Sequence, residues 1–98
     1  MAKDQFGDCI KVVVDIEKGI MAVGGDLHAD EEAVLLENDC NQKNLWGANI
    51  WFEKDGDERL QFDSMINIRP AQGNRGRTIE ISEIREKVRN VINNLVVW

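Results

Sequence analysis

Residues 26–39 read DLHADEEAVLLEND, and the fold turns on whether this stretch is helix or strand. As a helix it would start near Asp30, a residue type that caps helix N-termini, with Glu31 and Glu32 near the positive end of the dipole. Against that, its apolar part is only AVLLE, and the turn-rich NDCNQKN follows at once. We read a strand over 33–37. The chain then has a single helix, and the expectations for its second sheet face depend on that.

Upstream, CIKVVVDI (9–16) alternates Ile10, Val12, Val14 and Ile16 against Cys9, Lys11, Val13 and Asp15, a strand pattern rich in β-branched residues. EKG makes a hairpin turn, and GIMAVGG (19–25) returns, with Gly24 and Gly25 marking a bulge or bend. Downstream, LWGANIWF opens a strand over 45–53, with Trp46, Ala48, Ile50 and Phe52 on one face. A strand over 59–69 puts Leu60, Phe62, Ser64, Ile66 and Ile68 on one side. Gln61, Asp63, Met65, Asn67 and Arg69 fall on the other, and Pro70 ends the strand. EKDGDE joins these two strands. A three-residue loop over 55–57 sets Phe52 opposite Leu60 and Ile50 opposite Phe62, and so keeps apolar residues together.

The last segment, ISEIREKVRNVINNLVVW, repeats apolar residues at steps of three and four through Ile81, Ile84, Val88, Val91, Leu95 and Trp98, with Ile92 widening the stripe. It predicts a helix over 82–97 with Ser82 as N-cap. The expected fold is α+β: one domain over 1–98, an antiparallel meander of about five strands, and a C-terminal amphipathic helix on one face. One helix covers one face. The face bearing Asn49, Asp63, Asn67 and Arg69, with Trp51 and Met65, is then left for water, a ligand or another chain.

Composition narrows the function classes. The 98 residues carry 18 acidic and 12 basic side chains, a net charge of −6, which argues against general nucleic-acid binding. A chain this short buries only about 60–65% of its unfolded surface, which favours self-association. No apolar run reaches the roughly 18–20 residues of a membrane span. MAKDQFGDCIK has no signal-peptide pattern, so a cytoplasmic protein is expected. Cys9 and Cys40 belong to no CxxC and are expected as free thiols.

Two groups of residues are candidates for chemistry. Asn49, Asp63, Asn67, Arg69, Gln72, Asn74 and Arg75, with Arg77 beside them, form an amide–arginine corner suited to a small anionic ligand, because arginine presents a planar fork of donors. In an extended segment Asp26, His28 and Asp30 would point to one side and offer oxygen, nitrogen and oxygen to a divalent metal, or a base. There is no GK[ST] element for a nucleotide loop, NDCNQKN lacks the glycine and terminal glutamate of an EF-hand, and no cofactor is implied.

KVVVDIEKGIMAVGGDLHADEEAVLLEN, LWGANI and FDSMINIRPAQGNRGR together resemble a small bacterial and archaeal family catalogued only as a domain of unknown function. The resemblance spans roughly residues 6–97, with INIRP and QGNR its most specific parts. It implies no catalytic role. It does imply a longer, helical N-terminal segment in other members where this chain has MAKDQFGD, so a partner subunit is expected to cover the outer sheet face. The expected function is therefore a small binding or interaction protein that forms homo-oligomers and holds a small anionic ligand. The alternatives are a metal-assisted or acid–base enzyme around His28 and, less favoured, a regulatory protein touching nucleic acid through the 69–77 strip.

Overall fold

The computed structural model describes residues 9–52, 54 and 56–96. The chain runs β1 (Cys9–Asp15), β2 (Ile20–Val23), α1 (His28–Glu37), β3 (Leu45–Trp51), β4 (Leu60–Gln61) and α2 (Ser82–Leu95), with short 3-10 turns at Gln42–Asn44, Gly56–Arg59, Met65–Asn67 and Pro70–Gln72. The fold is α+β with a four-stranded antiparallel sheet and a C-terminal helix. Residue 97, the end of the expected helix, Trp98 of its apolar stripe, and Glu53 and Asp55 of the expected hairpin lie outside the described residues.

The expected strand over 33–37 is a helix instead. The run that argued against a helix is the device that ends it. Asp39 takes a left-handed backbone (φ 67), and the Cys40 N–H bonds back to the Leu35 carbonyl at 3.1 Å. That bond spans the last turn as in a Schellman motif, with Leu35 and Cys40 in the apolar contact that accompanies it. Asn38 adds a side-chain bond from Nδ2 to the Val34 carbonyl at 2.7 Å. At the other end Leu27 occupies the cap position without a side-chain bond, so Asp30 lies in the first turn rather than at the cap. Similarly, Ile81 rather than Ser82 caps α2.

The helix changes the topology. The sheet order is β2-β1-β3-β4 rather than a meander, with β1 antiparallel to both β2 and β3. β2 and β3 therefore run parallel on either side of β1, and α1 makes the long crossover that such a pair requires. Val12, Val14, Trp46, Ala48, Ile50, Leu60 and Phe62 cluster with Val88, Val91 and Ile92 of α2. Val13 and Leu45, which alternate with them, cluster with Leu35 and Cys40. The second face is thus covered by this chain's own helix over that part.

The expected strand over 59–69 is mostly not a strand. Ile50 pairs with Leu60 and Asn49 with Gln61, two residues along from the expected register but with the same parity. Beyond Gln61 the chain turns to a new neighbour: Ser64 N–H bonds to Arg77 O at 3.0 Å and Ile79 N–H to Phe62 O at 2.9 Å. Ser64 Oγ then accepts from the Ile66 N–H at 3.3 Å and starts the turn at Met65–Asn67. The bend rotates Asn67 inward, fully buried, and its carboxamide replaces the strand that has left. Nδ2 donates to Gly47 O at 3.0 Å, and Oδ1 accepts from Gly47 N–H at 2.8 Å. Gly47 permits the approach, because a Cβ there would stand 2.7 Å from Ser64 Cβ and 3.2 Å from His28 Cδ2. No helix among the described residues is long and apolar enough to cross a membrane.

Candidate functional site

The odd-numbered residues of β1 and β3 run past the start of α1, and there the face opens into a cleft of about 420 Å³. His28, the first residue of α1, forms one wall. Leu27 and Ala29 flank it, and Asn49 and Trp51 of β3, Cys9 and Lys11 of β1, Gln61 of β4, the 63–66 segment and Arg77 form the rest. Strand pairing explains the grouping: Lys11 lies opposite Asn49 and Cys9 opposite Trp51, while Asn49 also pairs with Gln61.

His28 is buried, with Nε2 2.9 Å from the Ala48 carbonyl. A carbonyl only accepts, so Nε2 carries the proton and Nδ1 is the acceptor of the neutral ring. Burial pushes the His28 pKa below its ordinary value. Lys11 acts the same way, while the Ala48 carbonyl, the Asn49 side chain and Asp63 oppose it. Asn49 Nδ2 donates to Asp63 O at 3.3 Å and lies 3.4 Å from Gln61 Oε1, but its Oδ1 is buried with no hydrogen-bond partner. Trp51 Nε1 donates to Gln61 Oε1 at 3.1 Å, which holds the indole against the cleft. Cys9 and Cys40 are free thiols, and burial pushes both up. Neither is poised as a thiolate nucleophile.

The amide–arginine corner separates into residues that line this cleft and residues that hold the chain together. Asn49, Asp63 and Arg77 line it. Asn67 and Asn74 are fully buried and bonded to backbone: Asn67 also donates to Arg77 O at 3.0 Å, and Asn74 Oδ1 accepts from Glu80 N–H at 2.7 Å while its Nδ2 faces the carbonyls of Asn67, Gly76 and Thr78. Arg69 stacks 4.7 Å over the Trp46 ring. Its guanidinium donates to Ile66 O at 3.0 Å, Gln42 O at 2.7 Å and Leu45 O, with Glu32 Oε2 3.5 Å away. Gln72 Nε2 donates to Lys43 O at 3.1 Å. Arg75 is exposed. The donors expected to meet an anion at Asn67, Arg69, Gln72 and Asn74 are thus already engaged with backbone carbonyls.

Asp26, His28 and Asp30 are not brought together. His28 starts a helix, so the extended spacing that would align the three does not exist, and Asp26 and Asp30 are exposed. Among the described residues no three His, Cys, Asp or Glu side chains are placed to hold a metal ion. Sequence reasoning missed Cys9 and Lys11 as cleft residues; the signal was their shared parity with Asn49 and Trp51 once β1 is known to pair with β3.

Fold and cleft together define a small α+β protein with a mixed polar cleft beside the start of its crossover helix. The chain belongs to the family described as a protein of unknown function, DUF5674, whose model matches residues 1–95. No curated protein and no solved structure matches it.

Proposed function

We propose that this protein binds a small anionic ligand in the cleft beside His28. A local reversal of charge carries the reading. The chain as a whole is at −6, whereas the described cleft residues set Lys11 and Arg77 against one carboxylate, Asp63, whose Oδ1 already accepts from Thr78 Oγ1 at 3.2 Å. With His28 held neutral near pH 7, the described cleft residues offer the cationic groups of Lys11 and Arg77, an aromatic ring at Trp51 and amide groups at Asn49 and Gln61. Mostly apolar clefts with a few convergent polar groups are the usual small-molecule sites.

The test is a melting series at constant ionic strength with phosphate monoesters and small dicarboxylates. A ligand at about a hundredfold above its Kd contributes about 2.7 kcal/mol, a rise of roughly 10–20 °C for a chain of this size. Arg77→Gln with Lys11→Gln should abolish the rise. No rise across the series, or one that survives the double substitution, overturns the reading.

Self-association through β2 is the second reading. β2 is an edge strand whose Ile20 and Val23 are 41% and 57% exposed, and Leu27 beyond it is exposed as well. Open edges with apolar side chains invite pairing, and a lysine blunts them. Light scattering should find a dimer that Val23→Lys dissociates; a monomeric wild-type chain at millimolar concentration removes this reading.

A further inference from the structure

A second cavity, also about 420 Å³, lies between β2 and α1 and is lined by Met21, Ala22, Val23, Val34 and Leu35, with Gly24, Gly25, Asp30 and Glu31. Its walls are mainly aliphatic, yet Glu31 is only 2% exposed. Glu31 Oε2 accepts the Gly25 N–H at 3.0 Å, whereas Oε1 is buried without any hydrogen-bond partner. The carboxyl is accommodated by the chain around it. A Cβ on Gly25 would stand 2.8 Å from Glu31 Cγ and 3.3 Å from Leu27 O, so only glycine leaves this space without a shift.

A buried carboxylate with one free oxygen costs far more than the leucine or valine that this environment would accept. We propose that this cavity is a second binding site, taking a small organic cation: a primary ammonium carrying a short aliphatic tail. The ammonium donates to Glu31 Oε1, and the tail lies along Val23, Val34 and Leu35. Asp30 at the same cavity adds negative charge that a cation would neutralise. Burial first, and then Asp30, push Glu31 up to about 7, against the Gly25 N–H and Lys11. An ammonium partner would return it towards the ordinary carboxylate range. This site is separate from the anion cleft in residues and in the sign of its ligand.

The probe is n-butylammonium chloride, titrated at pH 8 and followed by the amide resonance of Gly25 and the methyl resonances of Val34, with n-butanol as the neutral isostere and sodium chloride as the salt control. Saturable movement is expected with butylammonium and not with either control. Glu31→Gln, of the same shape, should weaken binding at least tenfold while keeping a dispersed spectrum. Val34→Lys, which tethers an ammonium one turn along α1, should compete and abolish it. Arg77→Gln should leave it unchanged, which separates this site from the cleft. Equal movement with butanol, no movement at Gly25, or unchanged affinity in Glu31→Gln overturns the proposal.

Discussion

The two faces of the sheet are held by different physics. Under α2, Val12, Val14, Trp46, Ala48, Ile50, Leu60 and Phe62 meet Val88, Val91 and Ile92, a layer bound mainly by apolar area, with Arg69 and Arg89 stacked on its Trp46 and Phe62 rings. Under α1, aliphatic contacts through Val13, Leu45 and Leu35 share the space with His28, Glu31 and Asn67, all buried. The first face tolerates exchange of one hydrocarbon for another of similar volume. The second depends on particular atoms meeting particular partners, because each unpaired buried donor or acceptor costs about 1–3 kcal/mol.

The sharpest contrast sets Asn67→Leu against Ile92→Ala. Leucine at 67 removes the partners of Gly47 N–H, Gly47 O and one of those of Arg77 O. A cost of about 4 kcal/mol is expected from two to three orphaned backbone groups. Ile92→Ala deletes hydrocarbon from a fully buried site and should cost about 2–4 kcal/mol. Urea denaturation measures both. If the polar-to-apolar change proves the milder one, the division between the faces fails.

A subtler break is Gly47→Ala, where the added methyl would meet Ser64 Cβ at 2.7 Å and Oγ at 2.8 Å. Ser64 cannot retreat without pulling on the turn that presents Asn67. Destabilisation of about 2–3 kcal/mol is expected, the upper part of the overpacking range. Adding Ser64→Gly should recover part of it. An unchanged midpoint in Gly47→Ala would mean that the Asn67 clamp is looser than its distances imply.

The same division explains what was legible beforehand. β1, β3 and α2 announce themselves through the periods of Ile10–Val14, Trp46–Ile50 and Ile84–Ile92, because area-driven packing writes itself into spacing. Parity survives a register error of two, so Ile50 and Leu60 were matched by face although the pairing had moved. On the other face spacing is silent. Nothing near Asn67 in the chain reports that its partner is Gly47, twenty residues away. Asn38, Asp39 and Cys40 have a turn's composition, but only the bond from Cys40 N–H to Leu35 O makes that turn a helix end. Of the expected site, Asn49, Asp63 and Arg77 lie in the cleft, while the donors that make Arg69 and Asn74 suit an anion are engaged by backbone carbonyls.

The smallest expected effect distinguishes the two buried titratable groups of α1 by the sign of their pH dependence. Glu31 is about 7 in the folded chain against 4.5 ordinarily. Between those values the folded chain keeps a proton that the unfolded chain releases, so this group's stabilisation is complete below 4.5 and is lost as pH rises towards 7. The full shift corresponds to about 3 kcal/mol; water entering the adjoining cavity reduces the expected loss to about 1–2 kcal/mol. His28 runs the other way. Its folded pKa lies below the ordinary 6.5, so stability falls as pH drops below 6.5 and the unfolded chain takes up the proton first. Between pH 4.5 and 6.5 the two trends oppose each other in the native protein. Glu31→Gln should remove the falling limb and gain stability at pH 8 relative to pH 4.5. His28→Gln should remove the rising one, with glutamine still able to donate to Ala48 O. Urea midpoints for both variants, taken as differences from the native chain at pH 4.5, 5.5, 6.5 and 8, cancel the background of exposed carboxylates. A difference curve for Glu31→Gln that is flat across that range would show that Glu31 is solvated in the folded chain, and the polar face would lose its most costly buried group.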